Sequence, residues 1–563
     1  MDRDTRRAVE EFRFTEAGPI ENNLIDELVN GELDRQEFLR RAAVFGLGAG
    51  TIGMLLRYVG QAEPAFGASM AQGKVGGTIR VGVPTFSAGL EPYQLREAGS
   101  IGLAGIPGEY LTFSDPNLQV KPWLATSWKP NADLTVWTFQ IRKGVKFHNG
   151  KTMTADDVVA SFKSNLGEKS SQILGALPSS LIGPEGVVKT GPYTVQFRLK
   201  SPNNALPYLV SQTTYQGIIM PAAIANKLGS WVGSGMIGTG AFRLKSYVPK
   251  RSAQLVRFDG YWGGKPPLDG VAITYYDSAA PIVLALRAGQ LDLAQQLSPQ
   301  QVRPFQSSSK FKIFSAPTSA HRMFELHVNQ EPFKDPRVRR AVALTLNRPD
   351  VIERVLLGAG TIGNDSPFWS KFPSTDPSIK QRKQDIELAK ALLKAAGKEN
   401  LKFTITTHNQ FDVPDYATAI QAAGRQAGMD INLDIMTYDD YYAGTGADYY
   451  GTVPWFTKPA TITEYGARGV PNLYVTAAYV GGGIWNATHY ANSDFDAAAK
   501  TFLGAADVQA QRKATKRMAG ILLRDTPVVT SYFITYITAG SSKIQNYQAE
   551  AISHLRLAKT SFA

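Results

Sequence analysis

The chain has 563 residues, 43% of them apolar and 19% charged. That excludes a disordered polymer and allows two or three domains around a large buried core. There is no cysteine, so disulfides, thiolate metal sites, a cysteine nucleophile and a lipid-modified cysteine are excluded together. The net charge of +12 is uneven, −4 over residues 1–71 and +16 over the rest, without a basic run interleaved with aromatics. Nucleic acid is therefore not expected as a partner.

In chain order, a polar, acidic segment comes first, followed by "LDRQEFLRRAAVFGLGAGTIGMLL". Arg35, Arg40 and Arg41 precede an uncharged stretch of 15 residues, Ala42 to Leu56. A membrane-crossing helix needs about 20 residues, so the stretch suits the apolar region of an export signal instead. Ser69-Met70-Ala71 offers a small-x-small cleavage site. "DRQEFLRR" is similar to a twin-arginine export signal, departing from it at Gln36. Residues 1–71 are thus expected to be a leader, and the protein to be periplasmic or otherwise extracytoplasmic without a cysteine anchor.

Further along, "TADDVVASF" places Asp156 and Asp157 where a helix opens after Thr154, which N-terminal capping explains. "WVGSGMIGTGAFRL" contains Gly233, Gly235 and Gly238 at the G-x-G-x-x-G spacing. A dinucleotide fingerprint needs a buried strand before it and a helix opening at its last glycine. Here a short helix ending at Gly229 precedes it, and the alternation of Phe242, Leu244 and Tyr247, a turn, then Leu255 and Phe258 predicts a β-hairpin after it. No cofactor is expected. "TYYDSAAPIVLALRAGQLDLAQQL" reads strand, helix, strand. "DPRVRRAVALTLNRPDVIERVLLG" reads as two amphipathic helices with solvated arginines, and "QDIELAKALLKAAGKENLKFTITTHN" as a helix, a Gly397 cap and a strand. Strands alternating with helices imply α/β layers, with a hairpin-rich extra subdomain early in the chain. The six histidines form no familiar ligand spacing, so no metal site is expected. No G-x-S-x-G elbow or complete P-loop is present.

Several ordered segments resemble the family 5 extracellular solute-binding proteins of bacterial ABC importers, the family of oligopeptide-, dipeptide- and nickel-binding proteins. They include "GGTIRVGVP" with "LEPY", "PWLATSWKPNADLTVWTFQIRKGVKFHNGKTMTADDVVASF", "GTGAFRLKSYVP…FDGYWGGKPPLDGV", "LRAGQLDLA", "EPFKDPRVRRAVALTLNRPDVIERVLLGAG" and "WNATHYANSDFDAAA". The resemblance implies a two-lobed α/β periplasmic-binding-protein fold with a hinge. Lobe I would span 72–320, with an extra subdomain at about 116–234, lobe II 321–524, and 525–563 would return to lobe I. It also implies a non-enzymatic role: capture of a small solute by hinge closure and delivery to membrane permease subunits, by a protein expected to be monomeric. An exported hydrolase is the alternative from another class, and would need two carboxylates facing a cleft.

The same resemblance points to Phe86, Tyr93, His321, Arg322, Asp365, Trp369, Trp455, Trp485, Asn486 and His489 as ligand-lining candidates. Peptide-binding members usually carry W-x-x-D-Y-x-D-P in the second lobe. Here Trp455 is followed by Lys458, and Asp448 lies upstream at another spacing. A buried ammonium without a carboxylate partner is costly. The solute classes left open are therefore a peptide, an opine-like compound, a sugar conjugate and a metal chelate.

Overall fold

The computed structural model describes residues 8–13, 16–17, 19–45, 47, 49–59, 74–86, 89–116, 118–166, 181–445 and 448–563. The expected cleavage site at residues 69–71 lies outside them. The chain forms two compact units, the first made of residues 1–297, 304–314 and 537–563, the second of 298–303 and 315–536. The chain crosses between these units at 297/298, 303/304, 314/315 and 536/537. The last two crossings lie inside long strands, which no change of composition marks.

In the first unit, strand β1 (Thr78–Pro84) buries Ile79, Val81 and Val83 on one face, while Thr78 and Arg80 on the other are exposed. A second sheet of four strands is built from β2 (Ala125–Pro130), β3 (Val136–Ile141), β4 (Val187–Gly191) and β5 (Thr194–Arg198), in the order β2-β3-β5-β4. Its apolar face carries Trp128, Trp137, Phe139 and Phe197, and Phe162 of the helix Ala155–Leu166 meets Phe197 edge-on at 4.9 Å. Thr154 donates its N–H to Asp157 at the start of that helix, as the capping reading requires. Near the start of the chain stand the short helices α1 (Pro19–Val29), α2 (Arg35–Val44) and α3 (Ala49–Tyr58). No helix among the described residues is long and apolar enough to cross a membrane. Val44 and Phe45 touch this four-stranded sheet: Trp128 Nε1 donates to the Val44 carbonyl at 2.6 Å and Phe45 stacks on Trp137.

The hairpin predicted after the glycine loop is present as β6 (Phe242–Val248) and β7 (Ser252–Arg257). With β8 (Gly270–Tyr276) and β9 (Leu293–Leu297) these strands extend β1 into a mixed sheet, order β9-β1-β8-β7-β6. Gly238 and Gly240 serve close backbone approach: a Cβ on either would lie 2.0 Å from the Pro107 carbonyl oxygen or 2.2 Å from that of Ile106.

The second unit is built on β10 (Phe311–Leu326), β11 (Lys402–His408), β12 (Asp430–Met436), β13 (Ala460–Tyr465) and β14 (Tyr532–Ser541), in the order β12-β11-β13-β10-β14. The two amphipathic helices appear at Pro336–Leu344 and Arg348–Leu356. Not all of their arginines are solvated. Arg339 and Arg348 are buried, the first donating to the carbonyls of Phe333, Lys334 and Asp525, the second to Asp365. A long stem packs in the core while its head meets fixed acceptors, and helical spacing alone cannot distinguish that from a solvated head.

Candidate solute-binding site

Strands β11, β12 and β13 run parallel, so their carboxyl ends lie together. Strand β10 is antiparallel to β13, which brings His321 and Arg322 opposite Tyr465 and Glu464 at that same end. From β11 the chain leaves into the helix Val413–Arg425, and Asp412 at its mouth meets Arg322. From β13 it leaves towards Asn472–Tyr479, whose Tyr474 meets His321. Adjacent residues of a strand point to opposite faces, so neighbouring parallel strands send their connections to opposite faces here. This is the switch point at which open α/β sheets hold ligands.

On one face His321 is fully buried among aromatic rings: Tyr465 lies parallel to it at 5.6 Å, and Tyr474 and Phe533 approach edge-on at 4.9 and 5.3 Å. Burial lowers its pKa to about 4, against the pull of the Ser319 carbonyl and with help from Arg322 and Arg468. Nδ1 lies 2.8 Å from that carbonyl and so carries the proton, which makes Nε2 an acceptor. His321 Nε2 has no hydrogen-bond partner, nor has the buried Nε1 of Trp485, whose ring packs on the same Tyr465 at 6.1 Å. A bare acceptor and an unused donor thus belong to two rings that pack on one tyrosine. Deeper on this face Glu325 accepts from the hydroxyls of Thr461, Thr463 and Tyr465, and burial pushes its pKa up to about 8.

On the other face Arg322 donates Nε and Nη2 to Asp412 Oδ1, and Tyr532 donates to Asp412 Oδ2. Glu464 accepts from Tyr438 at 3.0 Å, Tyr442 at 2.7 Å and His408 Nε2 at 2.7 Å. Burial would raise its pKa, but His408, Arg322 and Tyr442 outweigh it and hold the group at about 2. Glu325 and Glu464 lie on opposite faces of the sheet, so they do not form a facing pair of carboxylates.

The remaining candidates are spread over both units. Trp369 is buried, donates to Thr361 Oγ1 and lies 6.3 Å from Phe533, which links it to the His321 cluster. Trp455 packs among Tyr441, Tyr442, Tyr450 and Phe456. Asp365 is fully buried between Arg348 and Arg382 and accepts from the Thr530 N–H. Asn486 staples its own loop through the carbonyls of Val480 and Tyr490, and His489 stacks on His327 at 4.1 Å. Asp448 caps a short helix by accepting from Gly451, and Asp440 likewise pairs with Thr437. In the first unit, Phe86 is buried edge-on to Tyr275, and Tyr93 is half-buried. His408, Asp412, Tyr438, Tyr442 and Glu464 escaped the sequence reading. One signal for them is a glutamate within the otherwise uncharged strand "ATITEY".

Two α/β units and a polar, ring-lined strand end in the second describe a binding protein, and the comparisons agree. The model for bacterial extracellular solute-binding proteins, family 5, matches residues 119–487, so the chain belongs to that family. It is 26% identical to the nickel-binding protein NikA of Staphylococcus aureus, over 84% of this chain and 91% of that one. It is also 26% identical to the periplasmic oligopeptide-binding protein OppA of Haemophilus influenzae, over 75% and 81% of the two chains. Its fold is shared with the solved periplasmic binding protein DppA of Helicobacter pylori in complex with the peptide STSA. That match has a TM-score of 0.73 at 22% identity and covers 87% of this chain and 98% of that one. These relatives are solute-binding proteins, and nothing in them supports the hydrolase alternative.

Proposed function

We propose that this chain captures a small polar solute outside the cytoplasm for an ABC importer. It would hold the solute at the strand ends of the second unit and pass it, chemically intact, to membrane permease subunits. Family membership supports the class of function, and the names of the relatives bring peptides and nickel complexes into the range of solutes. In this reading the leader directs export, the protein works as a monomer, and solute binding drives the hinge closure implied by the resemblance.

One observation carries the placement: the buried, unpartnered His321 Nε2 and Trp485 Nε1, whose rings both pack on Tyr465. Leaving such atoms unmet costs about 1–3 kcal/mol each, and a solute offering one donor and one acceptor would recover it. The test is mass spectrometry of whatever co-purifies, followed by calorimetry with that compound. Saturable binding of an unaltered molecule is expected, with Trp485→Phe weakening it by about 1 kcal/mol through the lost donor. A compound returned cleaved, or binding indifferent to Trp485→Phe, overturns the reading or its placement respectively.

A further inference from the structure

A hairpin of the first unit gathers positive charge. Strand β6 stands at the outer end of the mixed sheet and meets β7 through the turn Val248-Pro249-Lys250-Arg251. Arg243, Lys245, Lys250 and Arg251 are all exposed. The register slips between Leu244 and Ser246, so Lys245 has no residue opposite it on β7. At the other end of the strand, residues 146–151 are tied to the chain entering β6. The His148 N–H donates to the Gly238 carbonyl, and its Nε2 lies 2.9 Å from the Gly240 carbonyl. Burial lowers the pKa of His148 to about 4, and the charge of Arg243 adds to that shift, which places Arg243 beside this turn. Lys146 and Lys151, both exposed, extend the row there.

Nothing nearby in the sequence balances this charge. No aspartate or glutamate occurs in residues 142–155 or 229–258. The acids that follow or flank these segments are engaged elsewhere: Asp259 and Asp269 with Arg257, Asp156 with Lys189. Asp277, close to the tip because the Tyr275 N–H donates to the Arg251 carbonyl, accepts from the Thr85 hydroxyl. A lysine on an edge strand deters pairing with another strand, and Lys245 alone would do that. The charge instead runs past both ends of β6, whose seven residues span about 20 Å. Lys250 has a φ of +57°, a conformation that glycine or asparagine adopts at less cost, so the turn carries a cation where the backbone favours another residue. Beside it Val248 is 46% exposed.

A row of unbalanced cations ending in an exposed apolar residue matches a plane of anionic head groups above an apolar layer. A second copy of the chain would present the same sign and be repelled. We propose that the β6–β7 hairpin, with residues 146–151, is a docking surface for an anionic lipid bilayer. A cysteine-linked lipid is excluded by the sequence, so this electrostatic hold duplicates none. It uses none of the residues placed at the solute site and stands apart from that reading.

The test is flotation of the full chain with vesicles of equal parts phosphatidylglycerol and phosphatidylcholine, against phosphatidylcholine alone, at about 0.05 M salt. Binding to the anionic vesicles only is expected, with release at about 0.5 M salt, where charges act over only about 4 Å. Each cation near such a surface contributes about fivefold to partitioning. Lys250→Asn with Arg251→Gln should therefore lower it at least about tenfold, with an unchanged melting midpoint, and the separate pair Arg243→Gln with Lys245→Gln should do the same. Lys513→Gln with Lys516→Gln, exposed on the helix Val508–Asp525 of the second unit, removes as much charge and should lower partitioning less than about twofold. No binding to anionic vesicles, equal binding to both kinds, or equal losses in hairpin and second-unit variants overturns the docking surface. Capture of an acidic protein through the hairpin, with anionic vesicles left unbound, overturns it too.

Discussion

Two buried carboxylates, one in each unit, show how the same side chain is used in two ways. In the first unit Glu109 is 2% exposed and accepts from Trp123 Nε1, Tyr261 Oη, Trp262 Nε1 and Thr239 Oγ1, all between 2.7 and 2.8 Å. Every lone pair is used by a donor of the chain itself, and the group knits residues 109, 123, 239 and 261–262 together. In the second unit Glu464 receives three donors and still reaches solvent. A saturated carboxylate holds a fold; one with an unused lone pair at a strand end can hold something else. Asp365 also serves the fold, by charge: it is fully buried between Arg348 and Arg382, which neutralise it.

The contrast can be broken or sharpened by substitution. The largest loss is expected for Asp365→Asn, which leaves two buried guanidinium groups without their anion and should cost about 3–5 kcal/mol in urea unfolding. Little loss there would mean the arginines find other acceptors, and Asp365 would return to the list of ligand contacts. Glu109→Gln comes next. Its amide nitrogen must face two donors, and the indole N–H groups of Trp123 and Trp262 cannot turn into acceptors. About 2–3 kcal/mol of stability should go, with solute affinity unchanged. Weakened solute binding in a variant that stays folded would erase the distinction drawn between the two carboxylates.

Glu325 sharpens the comparison through pH. Its folded pKa, pushed up to about 8 by burial, lies above the ordinary carboxyl value, so the folded state binds more protons than the unfolded one between about pH 4.5 and 8. Stability from this group is therefore present at low pH and lost as pH rises through that window. His148, His321 and His554, lowered by burial to about 4, work in the opposite direction below about pH 6.5. The clean measurement is the difference between wild type and Glu325→Gln from pH 6.5 to 8. The wild type should lose roughly 2 kcal/mol relative to the variant across it. Parallel curves would show that the hydroxyls of Thr461, Thr463 and Tyr465 suffice to keep Glu325 ionised. The smallest effect on stability is expected for Phe411→Asn, within about 0.5 kcal/mol because the ring is largely exposed.

Much of the fold was legible. The hairpin after Gly240, the helix–Gly397–strand passage and the helix pair around Asn347-Arg348-Pro349 all follow from local periodicity and caps, which act over a few residues. The site was less so. His321 and Trp485 were on the list of candidates and meet around Tyr465. Asp365, Asn486 and His489 were listed too, and their hydrogen bonds or stacking partners lie within the chain. Glu464 went unnoticed because nothing near it in sequence announces its partners: His408 and Arg322 lie 56 and 142 positions away.

By itself, the sequence determined the α/β class, the family resemblance and most element types, because hydrophobic period and turn chemistry are local properties of neighbouring residues. Only the tertiary structure decided which polar groups are spent and which are free. That depends on strand order and register, since parallel β11 and β13 and antiparallel β10 bring residues from three distant segments to one end of a sheet. Hydrogen bonds act over about 3 Å whatever the separation along the chain, so the number of donors around a carboxylate can be counted only after the chain has folded.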